Sequence, residues 1–158
     1  MAETLPPSIT SVLFACTHNS IRSPMAEAIL KRLHGTRLYV DSVGVREGDL
    51  DPFAVAVMAE IGIDLARHRS KSFDQLEDTS FDLVVSLSPE AQHRAVEMTR
   101  TMACEVEFWH TFDPSVVEGS REVRLAAYRS VRDGLIRRIG ERFPSQPEGR
   151  VSPAAASP

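Results

Sequence analysis

Cys16 and Arg22 stand six positions apart in the stretch FACTHNSIRSPMAE (14–27), and Ser23 follows the arginine directly. These residue types at this spacing suit nucleophilic attack on a tetrahedral oxyanion. The thiolate is the attacking form of cysteine, and a helix N-terminus with a nearby cation favours it. The planar guanidinium of Arg22 offers a fork of donors to two oxygens of a phosphoryl-like group and absorbs the charge that shifts onto them, which a lysine ammonium cannot copy. Asn19 and Ser20 suit a loop with tight backbone angles, and the Ser23 hydroxyl is placed to hydrogen-bond the sulfur. On spacing alone a plainer reading stands beside this one: Cys16 as a small buried hydrophobe at a strand end, and Ser23-Pro24 as an ordinary helix start.

Either reading needs a strand before the loop and a helix after it. The apolar, β-branched run over 9–15 predicts the strand, and 23–34 predicts the helix, with Ser23 as N-cap, Pro24 in the first helical position and Gly35 as the stop. Further strands are predicted over 37–43, 81–88 and 104–109, and helices from Asp51-Pro52 and from Pro89 to about Thr101. The last helix spans about 120–143. Val123, Ala127, Val131, Leu135 and Ile139 recur every fourth residue as its apolar face, and Arg121, Arg124, Arg129, Arg132, Arg137 and Arg138 read as a solvated face. Helices alternating with strands predict an α/β fold: a four-stranded parallel sheet with helices on both faces. In that setting backbone N–H groups and a helix N-terminus converge where Cys16 ends the first strand. The expected layout is a flexible N-terminus over 1–8, one domain over 9–143 and a disordered Pro-, Ser- and Ala-rich tail over 144–158.

Composition narrows the partners. A chain of 158 residues with 42% hydrophobic and 25% charged content is that of one soluble domain with a substantial core. The formal charge of −4 gives no general attraction to nucleic acid or to an anionic membrane, so neither is expected as a partner. Cys16 and Cys104 are the only cysteines, too few for a disulfide framework and without paired metal-ligand spacing. His34, His68, His93 and His110 are scattered without HxxxH spacing, so surface or loop roles are expected of them, and neither metal nor cofactor is expected. The opening residues lack a signal-peptide pattern, and no apolar run approaches the ~20 residues of a membrane span, so a cytoplasmic location is expected.

The segment VLFACTHNSIRSPMAEAIL resembles the low-molecular-weight protein tyrosine phosphatase family, whose first loop reads C-x-x-N-x-x-R-S; Cys16, Asn19, Arg22 and Ser23 match it. Resemblance continues through 41–45, 51–73, 81–88 and the segment beginning TFDPS, and covers 9–142. It implies that family's fold and a phosphate cradle built from Thr17, His18, Asn19, Ser20, Ile21, Arg22 and Ser23. A thiolate reaction on an ester also needs a general acid. Of the two Asp-Pro pairs, Asp51-Pro52 leads straight into a helix and reads as a cap, whereas Asp113 follows the last strand, on the side where ligands of parallel sheets gather. The family also carries its acid in a late Asp-Pro, which implies Asp113.

The activity so implied is metal-free hydrolysis of phosphate monoesters through a phosphocysteine at Cys16. The expected partners are a phosphorylated protein, phosphotyrosine above all, or a small phosphate ester, with inorganic phosphate or another tetrahedral oxyanion in the cradle. Two departures bear on substrate. The aromatic residues that the family commonly sets beside the loop are absent from GVREGD and DPSVVEG, which removes stacking partners for a phosphotyrosine ring, and His18 occupies a common loop glycine. The segments HRSKSF, FWHTFDPSVVEGS and YRSVRDGLIRRI also resemble the thioredoxin-coupled arsenate reductases of the same fold. Those enzymes place two relay cysteines after the third strand, where this chain has Ser88 and AQHRAVEM. An arsenate reductase using an external thiol is therefore an alternative, and a non-enzymatic phosphate or phosphoprotein sensor, with the Arg-rich last helix as its partner surface, is another.

Overall fold

The computed structural model describes residues 8–77 and 80–145, so the expected N-terminal and C-terminal flexible segments lie almost wholly outside the described residues. Four parallel strands, β1 (Ser11–Cys16), β2 (Tyr39–Gly44), β3 (Leu83–Ser86) and β4 (Glu105–Phe108), form one sheet in the order β2-β1-β3-β4. They alternate with four helices, α1 (Arg22–His34), α2 (Pro52–Ala59), α3 (Pro89–Met98) and α4 (Arg121–Arg142). The expected α/β class and strand count hold, with strand ends shifted by one or two residues.

Every residue of β1 is buried, because helices cover both sheet faces. Val12, Phe14 and Cys16 point into a core shared with α1, α2 and α4, while Leu13 and Ala15 point into a second core with Phe73, Phe81 and the α3 alanines. Since β2 lies on one side of β1 and β3 on the other, the order reverses at β1. The chains leaving the carboxyl ends of β1 and β3 part there and open a crevice, the usual ligand position of such sheets. Cys16 is the last residue of β1 and stands at that crevice.

Two helices differ from expectation. In α4 the buried seam is Leu125, Tyr128, Val131, Leu135 and Ile139, and Val123 is exposed. A strict four-residue repeat drifts around a helix of 3.6 residues per turn, so the predicted stripe leaves the core at its N-terminal end. Arg132 is also no solvated residue: it is buried, donating to the Val57 carbonyl and to Glu60 and so tying α4 to α2. His34, expected at the surface or in a loop, is buried at the end of α1 with Nε2 2.7 Å from the Phe143 carbonyl.

Candidate active site

Between Cys16 and α1 the chain winds tightly. Asn19 takes φ 55° and is the only described non-glycine residue with positive φ; asparagine tolerates this left-handed conformation better than most residues. The carbonyls of Cys16, Thr17, Asn19 and Ser20 are held from outside the loop by Val45 N–H, Arg46 N–H, the Ser70 hydroxyl and Asp51 N–H. Among the described residues the backbone N–H groups of residues 17–22 donate to no protein acceptor. Carbonyls turned outward and amides left free make an anion nest at a helix N-terminus.

The loop residues take distinct parts. Thr17 is buried and its hydroxyl donates to Ser88 Oγ at 3.0 Å, while His18 is exposed on the outer turn. Ile21 is buried and precedes the first helical residue, so it and not Ser23 is the N-cap of α1. Ser23 lies within the first turn, and its hydroxyl and backbone N–H sit 2.9 and 3.4 Å from Cys16 Sγ. Both groups are placed to donate to the sulfur. Arg22, the first residue of α1, is buried and donates from Nη1 to the Thr111 carbonyl at 2.9 Å.

A buried polar chain sets the direction of these bonds. Lys31 and the Ser42 hydroxyl both donate to Glu27, each at 2.6 Å. With its proton committed, Ser42 accepts from Asn19 Nδ2, which also donates to Ser23 Oγ. The Ser23 proton is left to face either the sulfur at 2.9 Å or the Val43 carbonyl at 3.3 Å. On the far side, Asn19 Oδ1 accepts from Lys71 N–H and from His68 Nε2, which fixes the proton of neutral His68 on Nε2. Burial holds the His68 pKa below its ordinary 6.5, against the pull of Glu27. The unfolded chain therefore takes up this proton first, and stability falls as pH drops below about 6.5. His68→Gln keeps a donor for Asn19 without titrating. Its melting temperature is expected to depend less steeply on pH between about 7 and 5 than that of the wild type; parallel curves would contradict this role.

Gly44 holds the cradle from beneath. A Cβ there would lie 2.6 Å from both Asn19 N and Arg46 O, closer than real contacts allow. Gly44→Ala is expected to cost about 1–3 kcal/mol of stability and to weaken phosphate binding, checked by thermal melts and phosphate titration; an unchanged melt and affinity would refute the close fit.

Asp113 is the N-cap of a single 3-10 turn, Pro114–Val116, after β4. Its Oδ1 accepts from the N–H and hydroxyl of Ser115 at 3.0 and 2.7 Å, leaving Oδ2 without a hydrogen bond among the described residues. The loop is fastened to the cradle two residues earlier, where the Thr111 carbonyl meets Arg22 and Thr111 N–H donates to Leu87. The other Asp-Pro pair does serve as a cap: Asp51 Oδ1 accepts from Phe53 N–H, and its Oδ2 also accepts from the Tyr128 hydroxyl. Phe112, the aromatic residue next to Asp113, is exposed and lines a groove against α4 with Trp109 and His110.

Cys104 precedes β4 and sits level with the start of β1, since Val12 pairs with Leu83 and Leu83 with Glu105. At ~3.3 Å per residue it lies about 16 Å down the sheet from Cys16, beyond the ~7 Å Cα separation a disulfide requires. Burial pushes its thiol pKa up. Cys104 packs, partly buried, against the second apolar cluster.

Sequence reasoning missed Glu27, Ser42 and Tyr128 as parts of this site and expected only a surface or loop role of His68. One signal was available: Glu27 stands four residues after Ser23 and so on the same helix face.

A parallel sheet with a cysteine-arginine anion nest at its switch point defines the architecture, and comparison gives it a family. Residues 11–138 match the model of the low molecular weight phosphotyrosine protein phosphatases, and the chain belongs to that family. It is 38% identical to an arsenate reductase of Halalkalibacterium halodurans over 129 residues, 81% of this chain and 91% of the relative. Among solved structures it is similar to an arsenate reductase in a phosphate-binding state, with 28% identity, a TM-score of 0.65, and 84% and 95% of the two chains covered. It is also similar to the YwlE arginine phosphatase with a phosphorylated active-site serine, with 27% identity, a TM-score of 0.65, and coverage of 82% and 91%.

Proposed function

We propose that the chain reduces arsenate at Cys16 and takes its reducing thiol from outside the protein. The similarity to proteins named arsenate reductases, over most of both chains, supports the substrate. A rim whose 45–50 segment carries no aromatic residue suits a small free oxyanion better than an aryl ester. The observation that carries the external thiol is the position of Cys104, which is out of reach of Cys16 in a chain with no third cysteine.

In the proposed reaction the Cys16 thiolate attacks arsenic, and an arsenate oxygen leaves as water with a proton from Asp113. An external thiolate then attacks Cys16 Sγ. The sulfur–arsenic bond breaks with its electron pair passing to arsenic, As(V) becomes As(III), and arsenite departs, leaving a mixed disulfide. A second external thiol resolves it and restores Cys16. Two thiols are oxidised to one disulfide for each arsenate reduced.

The free Oδ2 of Asp113 supports a second reading, hydrolysis of phosphate monoesters by the same cysteine. Side-by-side assays decide between them. Arsenite production from arsenate with glutathione is expected at a higher kcat/KM than hydrolysis of p-nitrophenyl phosphate; efficient ester hydrolysis without arsenite formation under any added thiol would overturn the first reading in favour of the second. Phosphate binding with neither activity would favour the sensor.

A further inference from the structure

Arg121 and Arg124, in the first turns of α4, stack their guanidiniums on the Phe53 ring, 5.2 and 4.5 Å from its centroid. That ring packs edge-on against Tyr128 at 5.3 Å. Tyr128 donates to Asp51, and Asp51 N–H donates to the Ser20 carbonyl of the cradle. Both Arg124 and Asp113 act electrostatically on the Tyr128 hydroxyl, whose pKa is raised first by burial and then by Asp51. The contacts thus join both arginines to the cradle through Phe53, Tyr128 and Asp51, and Arg124 shares the surroundings of the Tyr128 hydroxyl with Asp113.

Their state differs from that of three other arginines on the same helix, although Arg137 and Arg138 share it, Arg138 stacking on Trp109 at 4.9 Å. Arg129 pairs with Glu60 and Glu122, Arg132 with Glu60 and Asp133, and Arg142 with Glu107. Among the described residues no carboxylate lies within ion-pair distance of Arg121 or Arg124. A chain of net charge −4 therefore keeps two cations without an ion pair on one aromatic ring, whose edge-on partner Tyr128 is tied through Asp51 to the cradle loop.

We propose that Arg121 and Arg124 form a lip that selects reactants bearing a carboxylate on their way to Cys16; in arsenate reduction that reactant is a small carboxylate-bearing thiol. Free arsenate has no second anionic group to offer once it is seated in the cradle, so the lip acts on the co-reactant. This use of the lip rests on the external-thiol reading. The step it assists is the attack described above, in which the incoming sulfur bonds Cys16 Sγ and the electron pair of the sulfur–arsenic bond leaves on arsenite.

The lip is testable without arsenate. Cys16 is alkylated by iodoacetate and by neutral iodoacetamide in the wild type, Arg121→Gln/Arg124→Gln and Arg121→Lys/Arg124→Lys. The glutamine variant is expected to lower the iodoacetate-to-iodoacetamide rate ratio roughly three- to tenfold, the scale of two partly exposed charge contacts, and the lysine variant to recover most of it. Should the glutamine double variant melt early, the exposed Arg121→Gln alone carries the test with a smaller fall. A ratio that does not change overturns the lip, even where arsenite is formed. A lowered ratio with no arsenite formation under glutathione or 2-mercaptoethanol keeps the lip and removes the external-thiol reading. Where arsenite does form, the glutamine variant is expected to raise KM for glutathione by a similar factor and to leave the 2-mercaptoethanol rate unchanged.

Discussion

Cys16→Ser is expected to lower turnover of arsenate, and of any phosphate ester the protein accepts, by roughly 10⁴-fold or more, while the protein still binds oxyanion. Cys16 is 2% exposed, and its sulfur lies against the Ser23 hydroxyl and N–H. A serine hydroxyl there fits the space and keeps both contacts, but it is far less acidic than a thiol and has no positioned base to take its proton. The free amides of residues 17–22 and the Arg22 fork do not depend on the substituted atom. Phosphate titration and a turnover assay on one preparation separate the two effects. Loss of binding together with turnover would mean that the sulfur is structural, and retained turnover would remove Cys16 from the chemistry.

Asp113→Asn is expected to lower ester hydrolysis by about 10²–10⁴-fold for poor leaving groups and much less for p-nitrophenyl phosphate, whose leaving group needs little protonation. The substitution preserves shape, and the asparagine carbonyl still accepts from Ser115, so the turn at Pro114–Val116 stays closed. What disappears is the capacity of Oδ2, the oxygen that carries no hydrogen bond among the described residues, to give and take a proton. Equal losses on an alkyl ester and on p-nitrophenyl phosphate would show that Asp113 acts through loop geometry instead, and no loss on either would place the acid elsewhere.

The β1–loop–α1 unit is legible in the sequence because each of its parts is local. A buried strand shows as an uninterrupted apolar run, the anion nest as Cys-x5-Arg, and the helix start as Ser23-Pro24. The assignment of the N-cap still missed by two positions. Residue type identifies a good capping side chain, but here that hydroxyl is used on the sulfur, and the tight winding at Asn19 brings Ile21 to the cap position. The polar chain through Ser42, Glu27 and His68 was not legible, since its members come from β2, α1 and a distant loop and meet only when the sheet forms. Arg132 and His34 were misjudged for a similar reason: composition treats arginine and histidine as surface residues, whereas carbonyls of other segments, those of Val57 and Phe143, satisfy them inside. Strand register puts a length on the separation of Cys104 from Cys16, which the order of elements in the sequence could only indicate.

Single-turnover arsenite release tests the central claim, that Cys16 is the only protein thiol in the reaction. Enzyme reduced and freed of small thiols is mixed with arsenate, and arsenite is measured before and after glutathione is added, in the wild type and in Cys104→Ser. No arsenite is expected before addition in either protein, and equal thiol-dependent turnover after it. A burst of arsenite without added thiol that disappears in Cys104→Ser would show that the chain carries its own relay and would contradict the account.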